Sequence, residues 1–176
     1  MRSILFRSGL IGLTFVFSQL AAAADDGDRL DDPVTLGYIE NISVGKLGLE
    51  LKGKLDTGAD TSSVDARDVK VYKRGERDHW VKFRLVGKDG RSIRYDQNVR
   101  RFVQIKTKTG GTIRRPVIYL PICVGGVRGR AEVNLADREH FDYDFLVGRE
   151  FLAHRINVDS SQMYAATEPC EQDDDE

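Results

Sequence analysis

Residues Leu47 to Leu55 alternate apolar and polar side chains, with leucine at 47, 49 and 51, and run directly into Asp56-Thr57-Gly58-Ala59-Asp60-Thr61-Ser62-Ser63. The alternation predicts a strand with one buried face. A carboxylate is therefore delivered at a strand end, next to a residue free to turn. Gly58 lets the backbone turn tightly and aim an amide at the carboxylate, with no Cβ in the way. Thr57 adds a hydroxyl able to bond backbone and stiffen the loop. Alone, Asp56 is an ordinary acid with a pKa near ~3.9. Facing a second copy of itself it cannot fully ionise, and two carboxyls sharing one proton make a base and an acid in one site. A turn aspartate that merely caps its own loop is the plain alternative.

That alternative leaves a second motif unexplained. About ninety residues later, Phe145-Leu146-Val147-Gly148-Arg149-Glu150-Phe151-Leu152 gives an apolar strand end, then Gly-Arg, then a predicted short helix. Asp-Thr-Gly-Ala-Asp followed late in the domain by two hydrophobic residues and Gly-Arg resembles the retroviral-type aspartic proteases, the retropepsins. Lys54 to Ala66 and Asp144 to Leu152 look most like a bacterial family of secreted retropepsin-like proteins, often labelled "ATP-dependent zinc protease". The resemblance spans roughly residues 34 to 165.

Several expectations follow from the resemblance. The fold is an all-β, small closed barrel with one short helix. Asp56 is catalytic, Thr57, Gly58 and Ala59 shape its loop, and Leu146, Val147 and Gly148 form the second motif. Asp60 and Arg149 form a supporting ion pair, expected to be partly buried. With one Asp-Thr-Gly and about half the size of a two-lobed pepsin-type enzyme, the chain implies a homodimer with an Asp56/Asp56′ dyad. Residues 103 to 118 take the place of the flap, with Thr109, Gly110, Gly111 and Thr112 at its tip. Here the chain departs from the viral pattern: the tip is polar and the arms hold Lys106, Lys108, Arg114 and Arg115. An ordinary exposed hairpin is the alternative for this segment.

Charge is unevenly placed. Residues 25 to 32 hold five Asp, and residues 171 to 176 hold five Asp or Glu, which predicts solvated acidic tails over 25–33 and 169–176 around a domain at 34–168. Between Arg67 and Arg130 there are eighteen Lys or Arg against five Asp or Glu. Such an excess suits an anionic partner, and acidic peptides or anionic envelope polymers fit an exported protein better than nucleic acid, for which no motif is present. Residues 1–24, with Arg2 and Arg7, an apolar stretch from Leu10 to Leu20 and Ala22-Ala23-Ala24, predict a secretory signal peptide. Nothing later approaches the ~20 apolar residues of a membrane span. The expectation is an exported protein without a stable membrane anchor, periplasmic in a two-membrane bacterium.

The remaining pattern predicts strands. Thr35–Val44 and Leu47–Leu55 meet at Gly45-Lys46, and Trp80–Val86 returns through Ser92–Tyr95. Phe102–Thr107 and Thr112–Leu120 flank Thr109-Gly110-Gly111, and Ile122–Val124 and Val127–Asn134 flank Gly125-Gly126. Ile156–Val158 and Met163–Ala165 complete the set.

The family label invites a check for zinc and nucleotide. The three histidines, His79, His140 and His154, form no His-Glu-x-x-His, and only Glu139, His140, Asp142 and Asp144 cluster. No Gly-x-x-x-x-Gly-Lys-Ser/Thr occurs. Neither a metal nor another cofactor is expected. Cys123 and Cys170 either pair, as an oxidising compartment permits, or leave Cys123 as a small buried hydrophobe. Two functions are consistent with these residues. One is an aspartic endopeptidase; the other is a catalytically silent envelope adaptor holding a peptide or anion in the same cleft. The intact Asp-Thr-Gly-Ala favours the first and the basic flap arms the second.

Overall fold

The computed structural model describes residues 32–106 and 110–170. The expected signal peptide, most of the acidic N-terminal tail, residues 171–176, and Thr107, Lys108 and Thr109 of the flap lie outside the described residues.

Eleven strands and one short helix make up the described chain, in the order β1 (Val34–Val44), β2 (Leu49–Asp56), β3 (Ser62–Asp65), β4 (Arg67–Lys73), β5 (His79–Val86), β6 (Ser92–Asn98), β7 (Arg101–Lys106), β8 (Thr112–Val124), β9 (Val127–Ala136), β10 (Phe145–Gly148), α1 (Arg149–Leu152) and β11 (Ile156–Met163). Eight strands form one sheet in the order β11-β1-β2-β10-β3-β9-β8-β7. Ile42, Ser43 and Val44 of β1 also pair with Val124, Cys123 and Ile122 of β8, which closes the sheet on itself. Strands β4-β5-β6 form a separate antiparallel sheet. The small closed all-β architecture is present.

Alternation places the core. In β2, Leu49, Leu51, Gly53 and Leu55 face inward while the residues between them are exposed or half-buried. They join Ile42, Val64, Ile118, Leu120, Val133 and Phe145 in one cluster, to which Val81, Phe83 and Leu85 of β5 contribute from the second sheet. Glu40 is 1% exposed within this core. Its Oε1 accepts the backbone N–H groups of Gly37 and Ala165, both at 2.8 Å, so the buried carboxylate pins the segment after β11 to β1.

Four expectations are corrected. Leu47 is not a strand residue: it lies in the Gly45–Gly48 turn and is 62% exposed, because Gly45 and Gly48 both take positive φ and end the alternation there. β8 runs unbroken through Pro121, which was expected to divide two strands. It pairs with β7 up to Val117 and with β1 from Ile122, so Pro121 sits where β8 changes neighbours. There its carbonyl accepts the Gly45 N–H at 2.9 Å, on an edge where no ladder donor is required of it. β11 is likewise one strand, pairing parallel with β1 across an irregularity between Gly37 and Ile39. Finally, β3 and β4 were not anticipated. β3 is polar yet buried, and β4 is apolar at Val69 and Val71 yet exposed there, so neither shows the expected alternation.

Candidate active site

The site is built by strand order. β2 ends at Asp56 and β3 begins at Ser62, yet the two do not pair. β10 lies between them, parallel to β2 and antiparallel to β3, with Gly148 opposite Asp56. The loop 57–61 must therefore cross the C-terminal end of β10. That crossing explains Gly148: a Cβ there would lie 2.6 Å from the Asp60 carbonyl oxygen and 2.7 Å from the Thr61 carbonyl carbon. Three successive amides fasten the loop. Gly148 N–H donates to Ser62 Oγ at 3.0 Å, Arg149 N–H to the Ala59 carbonyl at 2.8 Å, and Glu150 N–H to the Asp60 carbonyl at 3.2 Å. The N–H groups that open α1, which have no partner inside a helix, are thus satisfied by the loop.

Within this frame Asp56 is half-buried, and its Oδ1 accepts the Gly58 N–H at 3.0 Å. A Cβ on Gly58 would approach that oxygen to 3.3 Å. Ala59 N–H donates to the Asp56 carbonyl at 3.3 Å. One carboxylate oxygen is thus held in place by the loop's own amide. Thr57 and Gly58 are exposed and Ala59 half-buried. Asp60 and Arg149 pair as expected, but the pair is exposed rather than partly buried, with 68% and 57% of the two side chains accessible in the single chain. Both residues lie at the loop crossing, where none of the described residues buries them.

A second layer was not legible in the sequence. Ser62, Ser63 and Asn134 are buried beneath the loop. Asn134 Nδ2 donates to the Ser62 carbonyl at 2.8 Å, and its Oδ1 accepts from Ser63 Oγ at 3.3 Å and Arg115 Nη1 at 3.4 Å. Arg101 Nη2 donates to Thr61 Oγ1 at 3.1 Å while the same guanidinium pairs with Glu132 at 2.7 Å. Arg115 lies in the second arm of the expected flap and Arg101 opens β7 two residues before its first arm, so the base of the β7–β8 hairpin is bonded to the end of the Asp56 loop. Its other described end, at Lys106 and Thr112, is five residue pairs away, or about 17 Å. There Gly110 takes φ +84°, and Gly110, Gly111 and Thr112 are exposed. Arg114 stacks over the Phe102 ring at 3.7 Å.

Arg138 completes the basic surroundings. Its Nε donates to the Tyr143 carbonyl at 3.0 Å and its backbone N–H to Asp65 Oδ1 at 2.6 Å. Burial, then the neighbouring Arg115 guanidinium, push Arg138 below the ordinary arginine value, while the Asp65, Asp144 and Asp56 carboxylates oppose the shift. Arg138 thus lies within electrostatic reach of Asp56. Nothing in the spacing around residue 138 announces this, since the bonds to Asp65 and Tyr143 form only when the segment after β9 folds back beside β3.

Among the described residues no group of three or more His, Cys, Asp and Glu side chains could hold a metal ion. Glu139 pairs instead with Arg67 at 3.0 Å, and Asp144 Oδ2 accepts the Lys52 N–H at 3.4 Å. Cys123 and Cys170 are joined in a disulfide, with Cα atoms 5.8 Å apart. No helix among the described residues is long and apolar enough to cross a membrane.

Similarity to known proteins agrees with this geometry. A Legionella pneumophila protein of unknown function superposes with a TM-score of 0.63 at 27% identity, covering 76% of this chain and 98% of its own. Proteins named probable alpha-L-glutamate ligase from Shewanella pealeana and Shewanella halifaxensis are each 32% identical, over 142 and 138 residues. Those matches take in 78% and 76% of this chain but only 31% and 30% of the relatives, so the chain spans under a third of their length. Residues 35–169 match the RimB-like family, described as retropepsin-like aspartic endopeptidase RimB, and the chain belongs to that family.

Proposed function

We propose that the chain is an exported, homodimeric aspartic endopeptidase that cleaves acidic peptide segments, with Asp56 and the Asp56 of a second copy forming the dyad. The observation that carries this reading is the half-buried Asp56 at the end of β2, its Oδ1 bonded to Gly58 N–H, in a loop fastened to Gly148, Arg149 and Glu150. The chain has a single Asp-Thr-Gly, so a second carboxyl must come from another copy. The two carboxyls share one proton and hold a water. The ionised one removes a proton from the water as its oxygen attacks the scissile carbonyl carbon, and the protonated one gives its proton to the carbonyl oxygen. Collapse of the tetrahedral species returns a proton to the leaving nitrogen and breaks the C–N bond. No covalent enzyme intermediate is needed.

Arg101, Arg115 and Arg138 around the loop support an acidic substrate. The relatives' name, probable alpha-L-glutamate ligase, points to glutamate-bearing chains as the chemistry in common. We assign the ligation itself to the part of those longer proteins that this chain does not match. Export is supported by the composition of residues 1–24 and by the Cys123–Cys170 disulfide.

The test is cleavage of an oligoglutamate peptide and of an unstructured protein across acid to neutral pH, beside Asp56→Asn, with the dimer fraction followed by sedimentation. The expected result is wild-type cleavage that falls at least ~10²-fold in the variant at equal dimer content. Absence of cleavage from a folded, dimeric wild-type protein would overturn the reading and favour a silent peptide- or anion-binding adaptor in the envelope, its basic flap arms serving as the grip.

A further inference from the structure

At the end of β2 remote from Asp56, the β1–β2 turn and the β8–β9 pair enclose a cavity of about 270 Å³ lined by Lys46, Arg128 and Arg130 together with Ser43, Pro121 and Cys123. Among the described residues no carboxylate lines it. Lys46, Arg128 and Arg130 are exposed, and the last two project from the same face of β9 because they are two residues apart on a strand. The Arg130 guanidinium lies over the Tyr119 ring, 4.7 Å from its centroid. Between this cavity and Asp56 lies the length of β2, about 23 Å, so a ligand here does not touch the dyad.

The disulfide decides what reaches it. Cys123 lines the cavity and is opposite Arg128 in the β8–β9 register. Through Cys170 it fixes the starting point of residues 171–176, which hold five Asp or Glu. Six residues extend to about 20 Å, more than enough to cross the cavity. Cys170 itself lines a neighbouring cavity with Glu40, Glu50 and Glu168 and, among the described residues, no Lys or Arg. Beside Cys170 an acidic segment therefore meets like charge on one side and Lys46 and Arg130 on the other. The other acidic segment, residues 25–32, leads into β1 at Val34, and the length of β1, about 33 Å, separates that entry from the Gly45 turn.

We propose that this cavity is a second, non-catalytic binding site for acidic peptide, and that its resident occupant is the chain's own segment 171–176, held there by the Cys123–Cys170 tether. The tether presents the segment at an effective concentration on the order of millimolar. A free acidic chain must displace it. The site thus discriminates in favour of long or highly charged acidic partners, and it does so independently of hydrolysis at Asp56.

The experiment measures anisotropy of fluorescein-labelled hexaglutamate with the full chain, in low and high salt. The tail-neutralised variant replaces Glu171, Asp173, Asp174, Asp175 and Glu176 by Gln or Asn. It is expected to bind the probe at least about tenfold more tightly than wild type at low salt, with the gain lost at high salt. Adding Lys46→Glu and Arg130→Glu to that variant is expected to remove the gain, whereas adding Asp56→Asn is expected to leave it intact. These charge reversals are at exposed positions, and an unchanged circular dichroism spectrum reports the fold. Equal affinity of wild type and the neutralised tail would overturn occupancy by the segment. A gain that persists through Lys46→Glu and Arg130→Glu would overturn the cavity as the site. Neither failure bears on cleavage, which is read separately.

Discussion

Gly148 lies opposite Asp56 in the parallel β2–β10 register, and the space where its Cβ would stand is taken by the Asp60 carbonyl 2.6 Å away. The glycine of the second motif is therefore a condition for the loop of the first. A side chain at 148 displaces backbone, not a flexible side chain, and so moves the segment that aims Asp56.

Gly148→Ala is accordingly expected to cost roughly 1–3 kcal/mol of stability, the range for overpacking a closed site. It should also reduce cleavage more than the loss of folded protein accounts for. Urea unfolding midpoints beside specific activity of the folded fraction measure both. A variant as stable and as active as wild type would contradict the steric reading.

Asn134 ties β9 to Ser62, Ser63 and Arg115 under the same loop. Asn134→Ala leaves a buried carbonyl and a buried hydroxyl without that partner, so a loss of about 1–3 kcal/mol is expected from thermal unfolding. Protection of the Ser62 and Ser63 amides from hydrogen exchange should fall with it, because the loop end loses its support.

Removing the Cys123–Cys170 link frees a loop of 47 residues' separation, and loop entropy predicts a loss of about 4 kcal/mol. Urea midpoints of the Cys123→Ser/Cys170→Ser protein, or of wild type under thiol reductant, check this. An unchanged midpoint would mean that the reduced, unfolded chain is already constrained.

Acid should weaken the fold through Asp159. Hydrogen bonds from Ser161 Oγ and Gln162 Nε2, both 2.6 Å, and then from Ser161 N–H at 2.8 Å, hold its carboxyl below the ordinary carboxylate value. A carboxyl depressed by folding contributes stability fully present above its unfolded pKa near ~3.9, and lost as pH falls through the lower folded value. Asp89, held down first by the Arg91 side chain, acts in the same direction. Asp159→Asn should lower Tm at neutral pH and flatten its decline below about pH 4. A Tm profile parallel to wild type throughout would contradict it. Cleavage assays at the acid end must be read against this loss.

Much of the architecture was readable because one face of each strand is buried. β1, most of β2, the β5–β6 and β7–β8 hairpins and the turn at Gly125-Gly126 follow from period-two alternation and glycine placement. The reading failed where burial and polarity part company. Ser62 and Ser63 are polar and buried because they serve the loop. Val69 and Val71 are apolar and exposed because β4 is the edge of a small sheet. The Asp60–Arg149 pair was legible as a pair but not as an exposed one, since accessibility depends on what else in the chain passes over it.

By itself the sequence determined the carboxylate loop, the Gly-Arg strand end, the β class and the two cysteines, because each rests on local chemistry: a tight turn needs glycine, a half-buried strand needs alternation. The tertiary structure alone decided that β10 enters between β2 and β3, that Asn134 and Arg115 gather at the Ser62 end of the Asp56 loop, and that Cys170 is bonded to Cys123 in the wall of a basic cavity. Those are contacts between residues tens of positions apart. Their pairing is set by strand order and by the packing of the whole core, and no local pattern encodes it.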